Sequence, residues 1–289
     1  MLPMRLLVLC LVAAAGLVAQ YADPLPDQDR FLVEVRKRLA SNDHLQSRFS
    51  YRERTTELKL NPFGRMGSGP VLVYDVYPHP NDELTYRRLI ERDGRPLSAE
   101  ELEEQDRRYR ERLAAWQRRV AREGQSERVE RLREAEEARE KDRDRAREAL
   151  ALFDFAIEGR AVWEGNPAIV IRFTPKSDGS PRSREGRVAH AFSGRAWVHE
   201  FEYEVMFVDA TAIHDVSFGF GLIARLHKGS TVRFTRQRIE GAWLPTSTRF
   251  EGTGRALLVR KVEIDFSREY LGYRAFEPSE LPARLGWDR

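Results

Sequence analysis

The sequence predicts a mainly β fold with helices: a curved antiparallel sheet, an unclosed half-barrel with a helical plug, carrying a long charged helical-hairpin insertion. Three observations predict it. From Phe153 onward strand patterns follow one another with turn residues between them and few helical patterns. Between 98 and 150 most residues that are not alanine are Glu, Asp, Arg or Lys. Near the N-terminus lies a short amphipathic helix of a size suited to cover one face of a sheet.

The elements follow in order. "MLPMRLLVLCLVAAAGLVAQ" has one Arg, an apolar run from Leu6 to Val18 and a polar, Pro-containing continuation. This is the layout of a secretory signal peptide, assigned to residues 1–20, with cleavage after Ala19, Gln20 or Ala22. An uncleaved anchor is the alternative, although the run falls short of a membrane span. Cys10, the only cysteine, sits within that run, so the mature chain is predicted to have no disulfide, thiolate nucleophile or Cys-bound metal. Export to a periplasm is the expected destination.

Residues 21–289 are read as one domain interrupted by the insertion. In "DQDRFLVEVRKRLASNDHLQ", Phe31, Val35 and Leu39 recur at helical spacing, with Leu32 beside them. "RFSYRERTTELKL", "VLVYDVYPHP" and "LTYRRLIERDG" alternate as strands, the last stopped by Asp93-Gly94. Ser98 with Glu101 forms a capping box that opens the insertion. Its stripes, Leu102, Tyr109, Leu113, Trp116 and Val120, then Val129, Leu132, Ala135, Ala146, Leu150 and Phe153, predict two helices divided at Gly124 and Ser126, paired as a coiled-coil-like hairpin and stitched by Glu/Arg pairs. Because acids and bases interleave, a solvated insertion is the plain reading and a partner-binding rod the rival.

Beyond it, "FDFAIEGRAVWEG", "AIVIRFTPK", "IHDVSFGFGLIARLH", "STVRFTRQRI", "WLPTSTRFEG" and "LLVRKVEIDFSREY" read as strands joined by short turns. "WVHEFEYEVMF", residues 197–207, alternates as one further strand, aromatic on one side and acidic on the other. Hydrophobic residues make up 41% of the chain, enough for a large core, and 33% charged residues with a net charge of only +3 give no electrostatic footprint for nucleic acid.

Chemistry is sparse. His190, His199, His214 and His227, with Glu200, Glu202 and Asp215, lack metal-ligand spacing, and His199 is expected to be a hydrogen-bonded part of a pocket wall or rim. Ser217, Ser230 and Ser247 lie outside any nucleophile motif. Catalytic residues, metal and cofactor are therefore all predicted absent. The aromatic residues Trp197, Phe201, Tyr203, Phe207, Phe218, Phe220 and Phe266 are predicted to line an apolar wall that needs either a permanent cover or a ligand. The N-terminal helix and the loop from Val188 to Phe192 are the candidate covers.

"FLVEVRKRLASNDHLQSRFSYRER", "GRAWVHEFEYEV", "EGAWLPTSTRFEG" and "VEIDFSREYLGYRAF", taken in this order behind a secretory signal, resemble the LolA/LolB-like superfamily of periplasmic lipoprotein carriers. The resemblance covers about Phe31 to Phe276 without the insertion. It implies an open barrel whose helical plug an acyl chain replaces, hence a non-catalytic lipid or lipoprotein-acyl carrier with transient membrane contact. An envelope sensor or interaction scaffold, gripping a protein partner through Tyr109 and Trp116 of the insertion, is the alternative.

Overall fold

The computed structural model describes residues 24–41, 45–57, 65–66, 69–218, 224–256 and 260–287, so the signal-like leader lies outside the described residues. Fourteen strands make one sheet. Eleven follow a single path: β5 (Arg95–Pro96), β4 (Tyr86–Arg92), β3 (Val71–Tyr77), β1 (Phe49–Thr56), β14 (Arg260–Ala275), β13 (Ala242–Ala256), β12 (Thr231–Ile239), β9 (Val205–Ala212), β8 (Phe192–His199), β7 (Asn166–Pro175) and β6 (Phe153–Trp163). Every step on this path is antiparallel, and β5 and β6 at its two ends do not pair with each other. The result is an unclosed half-barrel. Off the path, β10 (Val216–Phe218) and β11 (Ala224–Leu226) extend the β13 edge, and β2 (Arg65–Met66) runs parallel to β14.

Neighbours in sequence are mostly neighbours in space because the turns are tight. Asp93-Gly94, Glu164-Gly165 and Glu240-Gly241 each place two successive residues at positive φ, the backbone that a two-residue hairpin joining right-twisted strands requires. The register then sorts side chains onto two faces.

On the inner face α1 (Gln28–Ser41) seats Phe31, Leu32 and Val35 on Ile169 and Ile171 of β7 and Val198 of β8. Farther along that face α4 (Arg184–Ala189) and the residues after it pack Val188, Ala191 and Phe192 with Ala210, Ala212, Val216 and Leu226. Gly194 of β8 leaves room for its neighbouring strands there, since a Cβ would stand 2.2 Å from the Asp209 carbonyl oxygen of β9 and 2.9 Å from the Phe173 ring of β7. Both covers expected from the sequence are thus in place.

Across the middle of β7, β8, β9, β12 and β13 the outer face is ionic. Arg172, Arg195, Asp209, Arg233 and Arg249 stand directly opposite one another from β7 to β13. Glu158 joins Arg195 at 2.6 Å and Arg172 at 3.1 Å; Arg233 meets Asp209 at 3.4 Å; Arg249 meets Glu251 at 2.8 Å. Exposed pairs of this kind contribute little to stability. Their larger effect is to oblige this face to meet water.

The insertion is α2 (Ala99–Arg122) and α3 (Gln125–Ala151), opened by the reciprocal capping box of Ser98 and Glu101. It connects β5 at one end of the strand path to β6 at the other. Its seam differs from the expected coiled coil. α2 lies along β4: Gln105 bonds both the N–H and the C=O of Leu89, Asp106 takes a two-pronged grip from Arg88 at 2.8 and 2.9 Å, and Tyr109 stacks on Tyr86 at 4.2 Å. Phe276, and Leu281 of α5 (Leu281–Leu285), close this small core, with Trp287 against it. α3 instead approaches α4 and β6, and its Val129 and Leu132 are 59% and 55% exposed. Arginine–glutamate pairs three or four residues apart, Arg133–Glu130 and Arg143–Glu140 among them, support its exposed turns.

Candidate ligand-binding face

The segment 197–207 is a hairpin rather than one strand. β8 ends at His199 and β9 begins at Val205. His199 Nδ1 accepts from the backbone N–H groups of Phe201 at 3.3 Å and Glu202 at 3.1 Å, and Tyr203 turns the chain at φ +60. An accepting Nδ1 puts the imidazole hydrogen on Nε2, which faces Glu202 Oε1 at 3.9 Å. His199 is buried in a T-shaped contact with Trp243 at 5.7 Å, and its hydrogen bonds shape a turn. A buried ion pair anchors the same hairpin to β12. Arg236 meets Glu204 at 3.0 Å, both side chains being 8% exposed, and donates to the Trp243 carbonyl at 2.6 Å. Burial lowers the Arg236 pKa while Glu204 opposes that shift.

This turn redistributes the seven aromatic residues. Trp197 and Phe207 point to the outer face, where Trp163 stacks on Phe207 at 4.1 Å and Trp197 lies 5.1 Å from Phe207. Tyr203 packs on Phe31 of α1 at 5.2 Å, on the inner side. Phe201 is at the turn, 70% exposed. Phe266 is on the inner face of β14, opposite Phe250. Phe218 belongs to β10, and Phe220 lies outside the described residues. The predicted single wall is therefore divided between two faces.

The inner face is itself divided. Beneath α1 the side chains of Ile169, Ile171 and Val198 are sealed, at 0%, 3% and 1% exposure. On β12, β13, β14, β1 and β3 the same face carries Phe234, Phe250, Phe266, Tyr270, Tyr51 and Tyr74, all only partly buried. Among these aromatics sits Glu53, 4% exposed, opposite Tyr270 on one side and Tyr74 on the other. Its Oε1 holds Arg87 Nη2 at 2.6 Å and Arg268 Nε at 3.3 Å. Arg87 lies over the Tyr74 ring at 4.4 Å and Arg268 over Phe266 at 5.4 Å. Burial first, and Glu53 second, push the Tyr51 hydroxyl up to about 12, so it stays protonated into the alkaline range.

Glu53, Arg87 and Arg268 were not among the sequence candidates. The signal existed: in Tyr51-x-Glu53-x-Thr55 and Phe266-x-Arg268-x-Tyr270, strand spacing puts the charged residue on the aromatic side. Among the described residues no group of three or more His, Cys, Asp or Glu is arranged to hold a metal, and no helix is long and apolar enough to cross a membrane. His227 is paired with Asp215 at 3.3 Å and His190 with the Lys176 carbonyl at 2.9 Å.

No family model matches the chain, and no curated protein matches it. Two solved structures are similar in fold. One is a DUF1329 family protein from Desulfovibrio piger, at 11% identity over 91% of this chain and 99% of that one, with a TM-score of 0.29. The other is a LolA superfamily protein from Nitrosomonas europaea, at 9% identity over 86% of this chain and 96% of that one, with a TM-score of 0.28. At those scores the likenesses carry nothing about ligand or chemistry. The open half-barrel with helices on its inner face is described by its own strand order and packing.

Proposed function

We propose that this protein is a non-catalytic carrier that holds the acyl chain of a lipid or lipoprotein on its inner face, with α1 as an exchangeable cover. The supporting observation is the unequal occupation of that face: α1 seals β7 and β8, while aromatic side chains on the adjoining strands stay partly exposed. Magnitudes allow exchange. Lifting Phe31, Leu32, Val35 and Leu39 from the sheet costs roughly 1.5–3 kcal/mol per side chain, and an acyl chain of about sixteen carbons returns on the order of 10 kcal/mol. The two quantities are close enough for a ligand to displace the helix and for the helix to expel the ligand.

This reading assigns Tyr203 and Phe266 to the ligand wall, Phe201 to its rim, and keeps Phe218 and Phe220 as candidates. Trp197 and Phe207 belong to the outer stack and carry no ligand contact in it. The signal-like leader supports a periplasmic location, and transient membrane contact follows from loading and unloading a lipid.

A second reading, an envelope scaffold that grips a protein through the insertion, draws support from the exposed Val129 and Leu132 of α3. The residues first favoured for that grip are occupied: Tyr109 is 2% exposed against Tyr86, and Trp116 meets His79 at 5.3 Å. Native mass spectrometry of protein purified from its own cell envelope, followed by solvent extraction, separates the readings. Stoichiometric lipid on the wild type supports the carrier. An empty protein whose specific partner is lost in a Val129→Glu, Leu132→Glu variant supports the scaffold.

A further inference from the structure

We infer that the trio Arg87, Glu53 and Arg268 is a headgroup site, and that the ligand of the inner face is a single-chain or multi-chain amphiphile bearing a phosphate or similar oxyanion. The inference rests on the carrier reading and names the chemical class of its cargo. The charge balance comes first. One carboxylate faces two guanidinium groups, so the trio keeps one uncompensated positive charge on a largely apolar surface. A single oxygen, Glu53 Oε1, receives both arginines, and Glu53 itself is 4% exposed. Each arginine side chain is more accessible, 45% for Arg87 and 39% for Arg268. The anion that holds the site together is hidden, whereas both cations are partly open.

Preorganisation comes second. Arg87 is stacked on Tyr74 and Arg268 on Phe266, and the shared carboxylate fixes both. A guanidinium presents five N–H donors in a rigid fork matched to phosphate or carboxylate oxygens, and holding two forks in advance removes much of the ordering cost of binding. Arg268 Nε is buried without a well-directed hydrogen bond although Glu53 is near, so its donor capacity is only partly used. Tyr51 stays protonated well beyond neutral pH and adds a hydroxyl to the same surface.

Continuity comes third. Phe250 pairs with Phe266 across β13 and β14, Gly252 with Ile264 next to them, and Arg268 follows Phe266 on the same face. Phe250 and Ile264 pack on one side against the cluster under α4 and stay only partly buried, so an apolar chain laid over their open sides would present its head to Arg268 and Arg87. A bare inorganic anion would leave the aromatic surface unused, and a neutral amphiphile would leave the extra positive charge unmatched.

The test uses the mature full-length protein and isothermal titration calorimetry below the micelle threshold. The ligands are dodecyl phosphate, dodecyl maltoside and inorganic phosphate. The expected result is binding of dodecyl phosphate about tenfold or more tighter than dodecyl maltoside, the scale of one charge-assisted hydrogen-bond set. Arg87→Gln and Arg268→Gln should each remove most of that preference and leave dodecyl maltoside affinity little changed. Arg268→Lys, which keeps the charge, should retain part of the preference. Thermal melts of each variant verify folding, and Arg87→Gln, at the more exposed position, serves if Arg268→Gln does not fold. Equal affinity for the two amphiphiles, or a parallel loss of both in the folded variants, overturns the headgroup site while leaving the carrier intact. Inorganic phosphate competing as strongly as dodecyl phosphate also overturns it, by making the site one for free anions. Failure of both amphiphiles to bind removes the carrier reading and this site with it.

Discussion

Two stretches of one inner face, built by the same alternation, have different fates. Under α1, Ile169, Ile171 and Val198 are as closed to water as any core residues. From β12 to β3 the inward aromatics are partly open, among buried Leu72, Val76 and Thr55, with a buried carboxylate and two arginines beside them. The first stretch behaves as core and the second as a lined surface. The difference teaches that apolar periodicity identifies a face that avoids water, while the partner of that face decides whether it is structure or site. Here α1, 14 residues long, seals β7 and β8, and α4 with the residues after it covers a further part of the same face.

Breaking the sealed stretch should have the largest effect. Ile169→Asp buries an unpaired charge at a position with 0% exposure, and the expected outcome is loss of the cooperative melt by circular dichroism. Next, Phe31→Ala should cost about 3–5 kcal/mol in urea titrations, and Phe266→Ala, partly exposed in the open stretch, about 1–2 kcal/mol. Equal costs would erase the distinction between the two stretches. Acyl-ligand affinity should respond in the reverse order, weakened by Phe266→Ala and maintained or increased by Phe31→Ala.

Alkaline titration sharpens the comparison from the open side. The Tyr51 pKa is raised in the folded chain from 10.0 to about 12, so its contribution to stability is full below pH 10.0 and disappears as pH climbs through about 12. Tyr86 and Tyr273 shift in the same direction, with burial as the leading cause. Absorbance at the tyrosinate band should therefore lag behind that of free tyrosine, and Tyr51→Phe should remove one lagging hydroxyl. The smallest effect belongs to α3: Val129→Glu and Leu132→Glu should each change stability by less than about 0.5 kcal/mol, whereas Leu113→Glu on α2, in the core with Tyr109 and Phe276, should cost more than about 2 kcal/mol.

Much of the fold was legible. Ser98 and Glu101 announced the insertion, because a capping box is a local device readable without tertiary context. Asp93-Gly94, Thr231 to Ile239 and the spacing of Phe31, Val35 and Leu39 were equally local and marked a turn, a strand and α1. The hairpin at 200–204 was hidden because the aromatic alternation of Trp197 to Phe207 continues in register through the turn. What makes the turn is His199 accepting two backbone N–H groups, a role that spacing does not announce. The destination of the α2 stripe was hidden for another reason. Tyr109 and Leu113 pack with Tyr86, Phe276, Leu281 and Trp287, residues distant in sequence, so a helical stripe read alone suggested its nearest neighbour, α3. The candidate site was half legible: the aromatic lining came from strand spacing, while Glu53, Arg87 and Arg268 were lost among 49 basic and 46 acidic residues until register brought them together.

The most direct test of the exchangeable cover is hydrogen–deuterium exchange across α1, measured with and without saturating dodecyl phosphate. The account predicts that amides of residues 31–41 lose protection when ligand binds while those of β13 and β14 gain it. Bound ligand with α1 protection unchanged would contradict it.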